Sequence, residues 1–505
     1  MNILNRQEMY FFDKYTMGKI GIPSATLMEN AGCGCSEYLR KNLLLPQANV
    51  LICCGNGNNG GDGFVIARYL KEGGYLPHIV LLGKPAKMSA ETYENYQKCR
   101  ALKIRIEEVN SVEEWQNLKL PAACYDYLID AIFGIGFKGV VKGWRAKVIE
   151  DLNNLKALKI AIDIASGVDA DTGAADIAIN ADYTLTLAAA KYGHFLLPGR
   201  IATGELKIID IGIPERLYQQ YPPQANLVTE DNVEFPYRSQ FYHKGHYGRV
   251  GIIAGAPGFS GAAIMASRAA LRAGGGLITL FHPAGMQQIF ETQLVEVMTY
   301  EMPVWKEKIE NSTGFEHFKE KLFTMDSLLI GPGIGVNSVT RKIMKFILEN
   351  WDKPLVIDAD GLNILAEKPQ LLLKAKTKNI LLTPHLGEFC RLIGRNKEEL
   401  IDILQALQNF VKEYKVNVLL KSCTSIFAND NKLIFNTSGN DALATGGSGD
   451  VLAGIVTSFI GQNLPIAPAA AAASYLMGKT AEKICEKRAA ASVIPTDIIE
   501  NIFTF

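Results

Sequence analysis

The chain has 505 residues, 48% apolar and 21% charged, which is enough apolar material for packed cores and too much length for one ordinary domain. Lys plus Arg and Asp plus Glu each number 52, so the formal net charge is zero, which argues against nucleic-acid binding through overall charge. The opening MNILNRQEMYFFDKYT has no basic start followed by an apolar run, and no apolar stretch of about 18 residues occurs, so neither a secretory signal nor a membrane-spanning helix is expected.

From about residue 47 to 213, short β-branched runs alternate with helical stretches. The runs are Val50–Cys54, His78–Leu82, Tyr127–Ile132, Ile160–Ile164, Tyr183–Leu187 and Leu206–Asp210. Continuous apolar runs bounded by Gly and Asp predict a parallel sheet covered on both faces, hence an α/β fold. The polar segment Tyr218–His243 holds three prolines and no periodicity, and reads as a linker between a domain over 1–222 and one over 223–505. A second α/β series follows, with strands at Arg249–Gly255, Gly276–Phe281, Ser327–Gly331, Pro354–Asp360, Asn379–Pro384 and Val416–Lys421. The Ala run Pro468–Ser474, continued by YLMGKTAEKI, predicts a tightly packed helix. The nine cysteines follow no framework spacing and read as reduced thiols of a cytoplasmic protein. Cys33-x-Cys35 has no matching second pair for zinc.

Three places carry chemistry. Gly55-x-Gly57-x-x-Gly60, between a strand and a helical run, matches the spacing of a dinucleotide fingerprint. The next strand ends in Gly83-Lys84 where a hydride-transfer site has an acid, and no Gly-Lys-Ser/Thr follows, so a standard NAD site and a P-loop are both disfavoured. Every residue from Gly55 to Asp62 is Gly, Asn or Asp, which predicts a binding loop rather than a plain tight turn. Asp130 and Asp163 close two strands, with Ser166 three residues beyond the second. Asn59, Asp130 and Ser166 then offer hard oxygen ligands for a monovalent or other hard cation, although strand-end acids also cap helices. Finally, GNDALATGGSGDVLAGIVTSFIG (439–461) runs a Gly-rich loop into an apolar helix. Gly446, Gly447, Ser448 and Gly449 are candidates to cradle a phosphate, and Asp450 is either a base beside a phosphoryl-transfer site or a capping acid.

In order, GIPSATLMENAG (21–32), GNGNNGGDG (55–63), DAIFGIG (130–136), DIASGVDADTG (163–173) and DIGIP (210–214) resemble the NAD(P)H-hydrate epimerase domain, a Rossmann-like three-layer sandwich. The resemblance implies inversion of the hydroxyl-bearing carbon of hydrated NADH or NADPH. It implies a substrate site lined by Asn58, Asn59, Gly60, Gly61 and Asp62 and by Gly134, Ile135, Gly136, Phe137, Lys138, Gly139 and Val140. Asp163 would be the acid/base, and Asn59, Asp130 and Ser166 would hold K+. Downstream, KGHYGRVGIIAG, SGAAIMASRAALRAGGGL, GPGIG, VIDADGLNIL, TPHLGEF, LLKSCTS and ATGGSGD appear in order and resemble the ribokinase-like, ADP- or ATP-dependent NAD(P)H-hydrate dehydratases. That likeness implies that His385, Asp450, Ala262 and Gly333 contact the hydrated cofactor. It implies that Lys421, Ser422, Cys423, Thr424, Ser425 and Gly449, with the Gly446–Ser448 loop, hold ADP or ATP, whose phosphates Mg2+ bridges. The two halves together are similar to prokaryotic bifunctional repair proteins, which implies a homo-oligomer acting on small molecules (NADHX, NADPHX, ADP, ATP) without nucleic acid or membrane.

Four positions depart from the family pattern: Ala165 and Leu386 stand where Pro is usual, Ser422 where Gly is usual, and Ser448 where Thr is frequent. A Cβ at Ser422 restricts close approach of the backbone to a nucleotide. The competing reading is a ribokinase-like small-molecule kinase, for example for a vitamin precursor, fused to a nucleotide-binding module and using the same Asp450 loop.

Overall fold

In the computed structural model, which describes residues 1–118, 120, 125–302 and 313–503, the expected alternation of strands and helices is built twice. The chain divides into two units, Asn2–Gln224 and Ala225–Phe505, the second also taking Met1. The strands of the first are β1 (Asn2–Leu4), β2 (Asn49–Cys54), β3 (Leu76–Leu82), β4 (Arg105–Val109), β5 (Tyr127–Ala131), β6 (Leu158–Ile162), β7 (Tyr183–Leu187), β8 (Ala190–Lys191) and β9 (Glu205–Ile209). A seven-stranded sheet runs in the order β4-β3-β2-β5-β6-β7-β9 with every pairing parallel, and β1 pairs with β8.

Strand parity sorts the side chains of this sheet into two cores. Val50, Ile52, Cys54, Ile79, Leu81 and Ile129 pack on one face, and Leu51, Cys53, Val80 and Leu128 on the other. Burial on both sides is why the central runs are apolar without alternation. β4, RIEEV, escapes that pattern because it is an edge strand, where charge protects against further pairing. The strand order reverses between β2 and β5, and there the loops after the two strands touch. A Cβ on Gly55 would lie 2.0 Å from the carbonyl oxygen of Ile132, so only glycine fits.

The second unit holds β10 (Ala225–Leu227), β11 (Arg249–Ile253), β12 (Leu277–Pro283), β13 (Met298–Met302), β14 (Ser327–Ile330), β15 (Leu355–Ile357), β16 (Ile380–Leu382), β17 (Asn417–Leu420), β18 (Ser425–Ala428) and β19 (Leu433–Asn436). Within it the sheet runs β13-β12-β11-β14-β15-β16-β17-β18-β19-β10. Pairing is parallel as far as β17, antiparallel at β17–β18 and β18–β19, and parallel again at β19–β10. Here the order reverses between β11 and β14. β10 lies inside the segment expected to be a linker, where it adds to β19.

Helices Ser260–Arg272, Ser448–Gly461 and Ile466–Cys485 share one core with β11 and β12. The Ala run belongs to the last of these, where Ala469, Ala470, Ala472 and Ala473 are fully buried. Small side chains there let the helix lie close to its neighbours. Among the described residues no helix is long and apolar enough to cross a membrane.

Candidate active sites

In open parallel sheets ligands bind beyond the carboxyl ends of the strands, where the order reverses. The first unit has a cavity of about 540 Å³ at that place. The loop after β2 brings Asn58 and Asn59 into helix Asn58–Glu72, with Gly57 as its N-cap, and Asp62 lies one turn further on. The loop after β5 supplies Gly134, Ile135, Gly136 and Phe137. All of these but Gly60 and Gly61, which lie buried behind the loop, line the cavity, as does Asp163. Lys138, Gly139 and Val140 follow on an exposed stretch and are not part of its lining.

Asp130 is fully buried and accepts from Ser166 twice, from Oγ at 2.5 Å and from the backbone N–H at 2.8 Å. Burial pushes its carboxyl up to about 6, against the pull of these bonds and of the Ile132 N–H. The Ser166 hydroxyl oxygen accepts from the Phe133 N–H at 2.8 Å, and Asn59 Nδ2 donates to the Phe133 carbonyl at 3.0 Å. Asn59, Asp130, Ser166 and the Phe133 carbonyl thus form one cluster. The Asn59 Oδ1 is buried and accepts no hydrogen bond among the described residues, which fits an oxygen donor set for a hard cation.

Asp163, closing β6, adopts φ +67°, a backbone region that non-glycine residues seldom enter. Its Oδ1 is paired with Lys191 Nζ, and the two side chains are only 10% and 1% exposed. Lys191 also donates to Thr186 Oγ1 at 2.9 Å and to the Leu187 carbonyl at 2.8 Å. His194 Nδ1 accepts the Lys191 N–H at 3.0 Å, so its Nε2–H donates to the Asp163 carbonyl at 3.0 Å. Burial and the Lys191 charge depress the imidazole to about 3, leaving it neutral. Asp13 and Asp62 complete an acidic end of the cavity. Burial raises Asp13 to about 6 and pushes Asp62 well above the carboxylate range, with the charge of Asp163 adding to both.

In the second unit, Gly447 caps helix Ser448–Gly461 at φ +100°. A Cβ there would meet Met265 Cε at 2.6 Å, so both conformation and space require glycine. The helix opens on N–H groups aimed past the loop, with Asp450 in its first turn. Beneath them lies a charged network in which Lys421, expected at the nucleotide, meets two carboxylates. Lys421 Nζ donates to Asp358 Oδ1 at 2.7 Å and stands 3.9 Å from Glu388 Oε2. A Cβ built on Gly449 would lie 3.1 Å from the same Nζ, so the lysine sits under the loop. Burial raises the Asp450 carboxyl to about 7, with Asp358 adding to the rise and Lys421 opposing it.

Across the β11/β14 reversal, Gly333 and Ala262 come together: a Cβ on Gly333 would lie 3.2 Å from that of Ala262. His385 caps helix Leu386–Ile393, its Nδ1 accepting N–H of Gly387 at 2.9 Å and of Glu388 at 3.3 Å. Its Nε2 stands 3.6 Å from Glu388 Oε1. Its backbone bridges to Lys421, which joins the His385 and Lys421–Ser425 loops. Within the latter Ser422 and Cys423 are exposed and Thr424 is buried. Ser448 Oγ is buried and makes no hydrogen bond among the described residues.

The structure adds Lys191, His194 and Asp13 to the first site, and Asp358 and Glu388 to the second. A lysine in KYGH directly after an apolar run was the available signal, since a buried lysine needs a partner.

Residues 250–504 match the family described as NAD(P)H-hydrate dehydratase, and residues 24–193 match the YjeF-related protein N-terminus. The bifunctional NAD(P)H-hydrate repair enzyme Nnr of Moorella thermoacetica is 34% identical over 507 residues, covering 99% of this chain and 96% of its own. The enzyme of the same name from Escherichia coli is 31% identical over 494 residues, covering 96% and 90%. A solved ribokinase-like superfamily protein from Enterococcus faecalis matches with a TM-score of 0.50 at 25% identity, over 55% of this chain and 94% of its own.

Proposed function

This chain belongs to the bifunctional NAD(P)H-hydrate repair enzymes, and from that premise we propose how its two sites divide the chemistry. The enzyme is an NAD(P)H-hydrate epimerase and an ADP/ATP-dependent NAD(P)H-hydrate dehydratase. The first unit interconverts the R and S hydrates, and the second returns the S hydrate to NADH or NADPH.

The hydrate carries a hydroxyl on the carbon beside the ring nitrogen, and hydroxide is a poor leaving group at neutral pH. In the second unit Asp450 accepts the hydroxyl proton while the oxygen attacks the terminal phosphoryl group of ATP or ADP, releasing ADP or AMP. The Gly446–Gly449 loop and the helix N-terminus hold the charge that develops on that group. The ring nitrogen then expels phosphate, and loss of a proton from the neighbouring carbon restores the double bond. Mg2+ carried by the nucleotide would supply positive charge to its phosphate oxygens. One observation carries this reading: a carboxyl in the first turn of a glycine-led helix, raised by burial to about 7 against the opposing charge of Lys421. Lys421 keeps that carboxyl from rising further, and Asp358 holds the lysine in place.

In the first unit Asp163 exchanges a proton with the substrate, and Lys191 holds its carboxylate toward the cavity. The Asn58–Asp62 loop positions the dinucleotide. Asn59, Asp130, Ser166 and the Phe133 carbonyl would hold K+, whose charge supplies electrostatic support to bound phosphate or hydroxyl oxygens; the unspent Asn59 Oδ1 supports this assignment. The cysteines among the described residues are all unpaired, which supports a cytoplasmic setting.

The deciding assay mixes the full chain with a mixture of R and S hydrates, Mg2+, K+ and either ATP or ADP. Full return of the reduced-nicotinamide absorbance is expected. Recovery of only the S fraction would remove the epimerase, and no recovery with either nucleotide would leave the small-molecule kinase.

A further inference from the structure

Among the described residues the cavity of the first unit is lined by two cations, Lys191 and Arg145, of which only the lysine is engaged by a carboxylate. Arg145, half-buried, donates from Nη2 to the Leu82 carbonyl at 3.4 Å and stacks with its guanidinium 4.6 Å from the Trp144 ring. Neither contact pairs its charge with an anion. The three carboxyls of the lining, Asp13, Asp62 and Asp163, act on one another and on Lys191. The cavity is therefore acidic at one end and cationic at the other.

Leu82 ends β3 and Asp163 follows β6. Between them the sheet runs β3-β2-β5-β6, three strand spacings or roughly 14 Å. One spacing from Leu82 and two from Asp163, after β2, lies the Gly57–Asn59 start of a helix, where backbone N–H groups suit a pyrophosphate. A dinucleotide hydrate with its altered ring at Asp163 and its pyrophosphate at Gly57–Asn59 brings its adenosine ribose to Leu82, Gly83 and Arg145. At that point of dinucleotide-binding sheets an acid holds a plain 2′-hydroxyl and an arginine accommodates a 2′-phosphate. This chain has Leu82-Gly83-Lys84 there, with no acid. Asn56 packs against Gly83, and its Oδ1 is buried without a hydrogen bond among the described residues, leaving a polar group for the ribose.

We propose that Arg145 forms a subsite for the 2′-phosphate of the substrate, so that the epimerase site prefers NADPHX to NADHX. This rests on the epimerase reading of the first unit. The test uses the full chain, its Arg145→Ala and Arg145→Lys variants, and each hydrate separately, with R and S forms resolved chromatographically. In the unaltered chain kcat/KM for NADPHX should exceed that for NADHX. Arg145→Ala should lower the NADPHX value by about tenfold more than the NADHX value, chiefly through KM, and Arg145→Lys should restore part of the difference. Adenosine 2′,5′-bisphosphate should inhibit the unaltered chain better than adenosine 5′-phosphate, and the two should inhibit Arg145→Ala alike. A folding defect lowers both hydrates together and leaves their ratio unmoved. Equal losses for the two hydrates, or no loss, would overturn the subsite. An unaltered chain that epimerises neither hydrate would instead overturn the reading on which it rests.

Discussion

Replacing Lys191 by Met isolates the most consequential ion pair of the first unit. The lysine is 1% and the aspartate 10% exposed, so the pair has little water to screen it. The substitution strands the Asp163 carboxylate and removes donors to Thr186 Oγ1 and the Leu187 carbonyl. Breaking a buried pair from one side costs about 3–5 kcal/mol. At a urea slope of about 2 kcal/mol per M, the unfolding midpoint should fall by roughly 1.5–2.5 M. The companion Asp163→Asn/Lys191→Met removes both charges and should regain about 2 kcal/mol or more, because no buried charge is left alone. Urea unfolding of the full chain measures this, with hydrogen exchange in peptides covering β6–β8 reporting the first unit. The double variant should be folded and devoid of epimerisation, which separates the stabilising from the chemical role of Asp163. A loss below about 1 kcal/mol for Lys191→Met, or a double variant no more stable than the single one, would refute the claim that the pair is desolvated.

Three further outcomes follow from the geometry. Asp450 must be ionised to accept a proton and is held up at about 7, so dehydration should rise with pH through that value and then level. Because the folded carboxyl binds its proton more tightly than an unfolded one, its contribution to stability declines as pH climbs from the usual carboxylate range to about 7. Lys421→Met should move the rate profile to higher pH, and coincident profiles for the two proteins would contradict the network. Asn59→Ala should erase stimulation of epimerisation by K+ over choline, with a loss of about ten- to a hundredfold at saturating salt; undiminished K+ dependence would remove Asn59 from the cation site. Gly447→Ala places a Cβ in a φ +100° conformation against Met265, and should weaken ATP binding by about tenfold in calorimetry, whereas an unchanged Kd would mean that the loop does not cradle the nucleotide.

The central strands were legible because burial on both faces leaves them uniformly apolar, as in Val50–Cys54 and Tyr127–Ala131. The strands that escaped are of two kinds. β4 and β13 are edges that carry charge, and β1, β8, β10, β18 and β19 are two to four residues long, too short for periodicity to show. The site was legible where chemistry demands glycine or asparagine in a row, as at Gly55–Asp62 and Gly446–Gly449. It was illegible where a role depends on what packs overhead. Lys191, Asp13 and Asp358 are ordinary letters in the sequence, and only their convergence makes them partners. His385 shows the reverse: the imidazole expected to meet the substrate also spends one nitrogen on capping a helix.

The one-sided placement of the loops in the first unit has a practical corollary. Every group that lines its cavity from the central strands leaves the sheet at their carboxyl rim, whereas the turn at Glu72–Gly74, ahead of β3, is exposed at the far rim. A dye, a bead or a fused reporter anchored through that turn leaves the cavity mouth unencumbered, so the enzyme can be tethered for single-molecule or flow work without touching its catalytic face.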